Sequence, residues 1–556
     1  MDKAGPGIGR RTLLLNMVAG APSLLLPRAA GAVNGDPIAQ TEGGKVRGTR
    51  DNGVEIYRGV PYAGSVSGAH RFAAPPPVEP WTGVRDATRP GAPSIQPPRS
   101  AFGRNEPAPA EDCLTLTVWT PAADGRRRPV MFYSHGGGFA TGSGSGVVQD
   151  GANLARLYDV VVVATNHRLG LLGYLYLDEL GGDAFGGSGN NGMRDIVAGL
   201  GWVHRNIDRF GGDPANVMIF GESGGGAKTS CLYAMPSAAR FFNKASIESG
   251  PGIRMTALEN ARRTTALVLS ELGIASADWR KLLDVPAETL LALQIKLAGM
   301  PNDDPLIGDR RGIGAAKLGF GPVVDGHVLP TNPFDPVAPA ISKDKPLICG
   351  YNQDEFAFFA LFSGNPSAFN LDEAGLVDRL SKQMPDDYKQ AIDVYRASRP
   401  NASPADIYIA IRSARFAGTG SITIAERKAH QGGAPIYAYV FTYGLEWAMP
   451  GTTHPLGAMH ALEIPFKFAN VDNVSLNGGP NFAGARPERF AAGRNMSAMW
   501  ASFARHAVPT APGQPDWPAY DLNKRATMMI DAQCRVVDDP TGPERRFWEA
   551  RPDPAD

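Results

Sequence analysis

Along residues 129–220, three short stretches are apolar almost without interruption: PVMFYSH (129–135), VVVVAT (160–165) and VMIF (217–220). They are rich in β-branched residues and lack the apolar–polar alternation of a half-solvated strand. Runs of this kind predict strands buried on both faces, the habit of parallel sheets. Between the last two, NGMRDIVAGLGWVHRNI (191–207) sets Met193, Ile196, Val197, Leu200, Val203 and Ile207 at helical spacing. FGGDP (210–214) then ends the helix and turns the chain toward the next strand. Strand, helix, strand with short links is the βαβ unit of an α/β fold. PLICG (346–350), PIYAYVFTY (435–443) and TMMID (527–531) predict further strands, and 253–320 and 365–430 read as mostly helical. No linker divides the chain after its N-terminus. The pattern predicts one domain over 33–556: a large, mostly parallel central sheet flanked by helices, with helical insertions over its active edge.

Composition narrows the picture. The chain has 556 residues, 43% of them hydrophobic, ample for a large core. Lys+Arg and Asp+Glu balance at 55 each, which removes the electrostatic case for a nucleic-acid or anionic-membrane partner. With 66 Gly and 47 Pro, a loop-rich enzyme fits better than a helical bundle.

The first 32 residues differ from the rest. Arg10-Arg11 precede an apolar run ending at Leu26, and Ala30-Gly31-Ala32 supplies an A-x-A cleavage signal. The run is shorter than the ~20 residues a membrane span needs, and Asn16 and Pro22 interrupt it. Residues 1–32 therefore predict a cleavable export signal that resembles the twin-arginine type, with an ordinary secretory signal as the alternative. Val33, not Cys, follows the cleavage site, so no lipid anchor is expected. The mature protein is expected in the periplasm or outside the cell. Cys113, Cys231, Cys349 and Cys534 lie far apart without metal-type spacing, and Cys231 and Cys349 read as small buried hydrophobes.

The candidate chemistry centres on GESGGGAKTS (221–230), which has two readings. Gly221, four residues, Gly226, then Lys228 and Thr229 nearly spell a phosphate-binding loop, which needs its lysine directly after the last glycine. Ala227 holds that place. One helical residue turns a side chain by roughly 100°, so Lys228 points elsewhere and reads as a solvated residue on a helix face. The centre reads instead as G-x-S-x-G, an elbow presenting Ser223 between a strand and a helix, with Gly221 and Gly225 relieving crowding. SHGGGFATG (134–142), directly after the first strand, supplies the glycine loop whose free N–H groups accompany such a serine.

With these motifs in place the sequence resembles the type B carboxylesterases, the α/β-hydrolase family that also contains the cholinesterases. The resemblance spans nearly the whole mature chain: YRGVPYA (57–63), RFAAPPPVEPW (71–81), EDCLTLTVW (111–119), HGGGF (135–139), GNNGMRD (189–195), FGGDPANVMIFGESGGG (210–226), GPVVDG (321–326), GYNQDE (350–355) and GAMHALEIPF (457–466). It implies an α/β-hydrolase fold and a serine esterase with no metal or organic cofactor. It implies Ser223 as nucleophile, Glu355 as acid and His460 as base, with the N–H groups of Gly137, Gly138 and Gly224 forming the oxyanion hole. Asp354 beside Glu355 and His454 near His460 are the competitors, and His135 reads as structural. The family's usual first disulfide would join Cys113 to a cysteine where this chain has Ser94, so that bridge is not expected. Ala461 stands where a glycine often follows the histidine, and Gly224 where alanine often follows the serine.

FAFFALF (356–362) after Glu355 and Phe139 beside the glycine loop suggest an apolar pocket, with Phe139, Phe356, Phe359 and Trp447 as candidates for its lining. Tyr443 carries the same reading. Ordinary core packing is the alternative for each. A neutral carboxylic ester of short or medium acyl chain is the expected substrate. Amides, thioesters or carbamates are open to the same machinery, and a non-catalytic exported binding protein is the rival from another class. Oligomeric state is left open.

Overall fold

The computed structural model describes residues 35–97, 106–299, 319–363, 366–472 and 481–551; the export signal read in residues 1–32 lies outside them. Among the described residues the central sheet has eleven strands: β1 (Thr49–Asp51), β2 (Val54–Pro61), β3 (Thr115–Thr120), β4 (Arg128–Ser134), β5 (Val161–Thr165), β6 (Gly212–Glu222), β7 (Lys244–Glu248), β8 (Leu347–Asn352), β9 (Ile436–Phe441), β10 (Ala526–Ile530) and β11 (Arg535–Asp538). Their order is β11-β10-β9-β8-β7-β6-β4-β5-β3-β2-β1. From β10 to β5 every neighbour is parallel. Antiparallel pairing adds β11 at one edge and β3, β2 and β1 at the other.

Each predicted apolar run falls on an interior strand, β4, β5, β6, β8, β9 or β10, while the interior strand β7 is not among them. Every residue of β4, β5, β7, β9 and β10 is buried. Alternate side chains serve two cores, as the pleat requires. Met131 and Tyr133 of β4, with Met218 and Phe220 of β6, pack into one. Val130, Phe132, Val217 and Ile219 pack into the other.

The helices that matter for the site are α1 (Asn191–Asn206), α2 (Gly224–Ala234), α3 (Phe356–Phe362), α4 (Pro404–Ser413), α5 (Thr419–Gln431), α6 (Glu463–Lys467) and α7 (Glu488–His506). α1 buries Met193, Ile196, Leu200 and Val203, the periodic face read from sequence. α4 starts at a reciprocal cap between Ser403 and Asp406, with Pro404 in its first turn, and a π-turn at Ala414–Gly418 joins it to α5. The described parts of 253–320 and 365–430 are largely helical, as expected.

Topology fixes where a ligand can enter. β4 has β5 on one side and β6 on the other, so the chain reverses its direction across the sheet there. A crevice opens at the carboxyl ends of parallel strands at such a point. Ser134 is level with Gly221, and Glu222 with Glu248 and, through it, Gly350. The glycine loop, the elbow and the Glu355 turn therefore emerge side by side.

Candidate active site

Ser223 occupies the turn from β6 to α2 with φ 57° and ψ −124°. A non-glycine residue there costs about 1–3 kcal/mol and persists only where its surroundings enforce it. The surrounding glycines show what enforces it. A Cβ on Gly225 would lie 2.0 Å from the Ser134 carbonyl oxygen, and one on Gly250 would lie 1.7 Å from that of Ser223. The Ser223 N–H donates to the Glu248 carbonyl at 2.9 Å, tying the elbow to β7.

Glu355 and His460 meet although 105 residues separate them: His460 Nδ1 lies 2.5 Å from Glu355 Oε2, and both side chains are buried. Glu355 Oε1 accepts from the Asn352 N–H at 2.8 Å. Asn352 also donates through Nδ2 to the Met459 carbonyl, which pins the residue before the histidine. Burial pushes the Glu355 carboxyl up to about 8, and the Ser249 hydroxyl and Asn352 N–H oppose the rise. A carboxylate so poorly hydrated is best stabilised by positive charge arriving on the adjoining imidazole.

The two competitors are engaged elsewhere. Asp354 Oδ2 accepts from the Ala458 N–H at 2.9 Å, holding the histidine loop rather than the histidine. His454 spans Asp406 Oδ1 and the Pro455 carbonyl, each at 2.8 Å. Ala461 has φ 66°, the left-handed region where glycine is preferred, which explains the residue type usual at that position.

Gly137 and Gly138 have φ of 84° and 61°. The Gly136 carbonyl faces His135 Nδ1 at 2.9 Å, and the Gly137 carbonyl accepts from the Thr141 N–H at 3.0 Å. In a planar trans peptide the following N–H points the opposite way, so Gly137 and Gly138 turn their N–H groups from those partners. Among the described residues, no hydrogen bond uses the N–H of Gly137, Gly138 or Gly224. The loop rests on the elbow: a Cβ on Gly224 would lie 2.4 Å from Gly138 Cα. His135 is buried and stacked on His167, with centroids 4.5 Å apart, and burial holds its imidazole well below the usual range. That placement fits a structural residue.

Ser223, His460, Gly137 and Gly138 open on one cavity of about 360 Å³, walled further by Phe358, Phe359, Phe362 and Ile464. The His460 ring is surrounded by Phe416 at 5.0 Å, Phe359 at 5.2 Å and Phe358 at 5.5 Å. The Ser223 hydroxyl makes no hydrogen bond to the ring here, and Nε2 lies 3.2 Å from Glu222 Oε1. Such catalytic bonds commonly close only when substrate fills the site.

Of the lining candidates, Phe359 faces the cavity, whereas Phe139, Phe356 and Trp447 do not. Phe358, Phe359 and Phe362 fall within about 100° of arc on α3, and Phe356 lies outside that arc. Phe356 packs on Tyr408 with the Arg412 guanidinium 4.2 Å above its ring. Phe139 packs edge-on against Tyr174. Tyr443 is buried against Phe466.

Sequence reasoning missed a set of buried charges. Glu222, Glu248 and Glu463 join Glu355 behind the elbow, each essentially without exposure. Burial pushes Glu222 up to about 8 and Glu463 to about 7, against the pull of His460 and Lys467. Lys467 forms a buried ion pair with Glu248, whose carboxylate also accepts from Trp500 Nε1 and the Ser246 hydroxyl. Lys228, expected on a solvated face, is fully buried, because every residue of α2 is buried and the helix has no solvated face. The four cysteines are buried free thiols.

The nucleophile-elbow geometry, the glycine loop and the mixed sheet define an α/β-hydrolase. The model of the carboxylesterase family matches residues 35–548, and the chain belongs to that family. It is 35% identical to the para-nitrobenzyl esterase of Bacillus subtilis, over 92% of this chain and 98% of that one. It is 31% identical to the human cocaine esterase, over 96% and 95%. The crystal structure of a Geobacillus stearothermophilus carboxylesterase at pH 6.2 superposes with a TM-score of 0.77 at 37% identity, over 92% of this chain and 99% of that one. The protein is a serine carboxylesterase, a hydrolase of carboxylic esters.

Proposed function

We propose that the protein cleaves neutral carboxylic esters through an acyl-enzyme on Ser223. One observation carries this reading: His460, gripped by Glu355 at 2.5 Å, stands in the wall of the cavity onto which Ser223 opens. A serine hydroxyl is a poor nucleophile until a neutral imidazole takes its proton. Ser223 Oγ attacks the carbonyl carbon as its proton passes to His460 Nε2. The oxyanion is held by the N–H groups of Gly137, Gly138 and Gly224, a contribution worth on the order of 10²–10³ in rate per donor. The intermediate collapses, the leaving alkoxide takes the proton from Nε2, and the acyl group stays on Ser223. Water then attacks, giving a proton to Nε2, which returns to Ser223 Oγ as the acid departs. Glu355 fixes the imidazole's tautomer and balances its charge throughout. The aromatic wall of Phe358, Phe359 and Phe362 favours an uncharged acyl or alkyl group.

Comparing p-nitrophenyl esters with matched anilides tests the bond type; faster anilide cleavage would overturn the ester reading. We further propose that residues 1–32 direct export, by the twin-arginine route, to the periplasm or the outside of the cell. Arg10→Lys/Arg11→Lys should then leave uncleaved protein in the cytoplasm. Unchanged export of that variant would contradict the route.

A further inference from the structure

Lys228 has a place in the fold that its sequence context does not suggest. It lies on α2, the helix that begins immediately after Ser223, and none of its surface reaches solvent. Its Nζ donates to the His135 carbonyl at 2.9 Å. No carboxylate lies close enough to shift it. Burial alone pushes the ammonium down to about 7. The groups packed round it are also basic or apolar: His135, His167 beyond it, and the Phe139 ring with its centroid 5.8 Å from Nζ. An amine buried without a counter-ion is costly, so this one is a poor device for stability.

What the amine does hold is specific. His135 is the last residue before Gly136-Gly137-Gly138, and its carbonyl stands where the chain leaves β4 for the loop. Within the loop the Thr141 N–H donates to the Gly137 carbonyl, and its other contacts with α2 are bare approaches without hydrogen bonds, of Gly225 to the Ser134 and His135 carbonyls and of Gly224 to Gly138. The Lys228 bond is therefore the polar tie between the helix carrying the nucleophile and the loop carrying two of the three N–H donors. We propose that Lys228 is a positioning residue that sets the aim of the Gly137 and Gly138 N–H groups at the reacting oxygen. The inference rests on the oxyanion role given to that loop above.

A donor displaced by a fraction of an ångström weakens transition-state binding without touching ground-state binding. In the intact protein, Lys228→Met keeps the apolar stem and removes the donor, and Lys228→Gln keeps a shorter one. Each is read by melting temperature, kcat and KM on a p-nitrophenyl ester, and Ki for a trifluoromethyl ketone, whose adduct on Ser223 bears the oxyanion. The expected result for Met is a fall in kcat of about 10- to 100-fold, KM within about twofold, and a Ki that rises in step with the loss of kcat/KM. Gln is expected to lie between Met and wild type. A folded Met or Gln variant with kcat and Ki both within about threefold of wild type would overturn the proposal. So would a rise confined to KM. Failure of the underlying reading is separate: wild-type protein itself would then take no fluorophosphonate on Ser223.

Discussion

Two buried clusters of ionisable groups flank the elbow, and they are opposite in kind. Behind Ser223 lie the carboxyls of Glu222, Glu248, Glu355 and Glu463, compensated by Lys467 and His460. Beneath the glycine loop lie His135, His167 and Lys228, with no acid among them. Burial pushes the carboxyls of the acidic group up, but the opposite charges of Lys467 and His460 pull Glu222 and Glu463 back, and the group's members hold the histidine and the end of β7. The basic group avoids charge by titrating, since burial pushes all three toward neutral forms. Opposite charge is supplied where a proton must move, and is lacking where the backbone has only to be held still.

Cutting the acidic cluster at Glu355 gives the largest effect. Glu355→Gln should lower kcat by about 10⁴ with little change in fold, because the imidazole loses both its tautomer and its counter-charge. Steady-state kinetics beside a melting curve checks this. Lys467→Met leaves Glu248 as an uncompensated buried charge and should cost about 3–5 kcal/mol of stability, measured by urea unfolding. Adding Glu248→Gln should recover most of that loss. If the double variant stays as unstable as the single one, pairing is not what keeps the acidic cluster in place.

The two clusters also predict opposite responses to pH. Glu222 and Glu463 rise from 4.5 to about 8 and about 7 on folding, so the native state binds more protons between those values and stability falls as pH climbs through that window. Lys228 drops from 10.5 to about 7, so the unfolded state binds more protons above pH 7 and stability rises from there toward 10.5. Lys228→Met should remove its share of the second slope, most visibly between about pH 7 and 8, below the values of about 8 to which burial pushes Lys244 and Lys428, and leave the first. At pH 7 its stability should stay within about 1–3 kcal/mol of wild type, the cost of the orphaned His135 carbonyl offset by relief of the buried amine. The smallest effect belongs to Ala461→Gly. Relief of a left-handed alanine, about 1–2 kcal/mol, exceeds the entropy cost of glycine, about 0.5–1 kcal/mol, so the melting temperature should rise slightly.

How much of this was legible in the sequence divides along the same line. The interior strands were, because β4, β5 and β9 are buried on both faces and therefore apolar throughout. β7 was not: KASIE opens on a lysine and closes on a glutamate, and reads as polar. Its end charge is neutralised by Lys467, 219 residues away. The short edge strands β1 and β11 have mostly exposed or half-exposed residues and no apolar pattern to read. In the site, Ser223 and the glycine loop announce themselves because backbone strain demands particular residues in a row. Glu355 and His460 were reached only through the family resemblance, since nothing local joins positions 105 apart. Lys228 was misread for a related reason. The helical turn correctly aimed it away from a phosphate, but its burial depends on how α2 is packed, and its partner lies 93 residues upstream. Phe356 shows the limit within a single helix, where an aromatic run says nothing of which rings meet substrate until the helix is oriented.

The identity of the nucleophile bears most directly on the whole account. Folded protein treated with a fluorophosphonate and digested should carry one phosphonyl adduct, on the peptide containing Ser223, with activity lost in proportion. The adduct should be absent from Ser223→Ala and form far more slowly in His460→Ala. No adduct in active, folded protein, or an adduct on a different serine, would contradict the account.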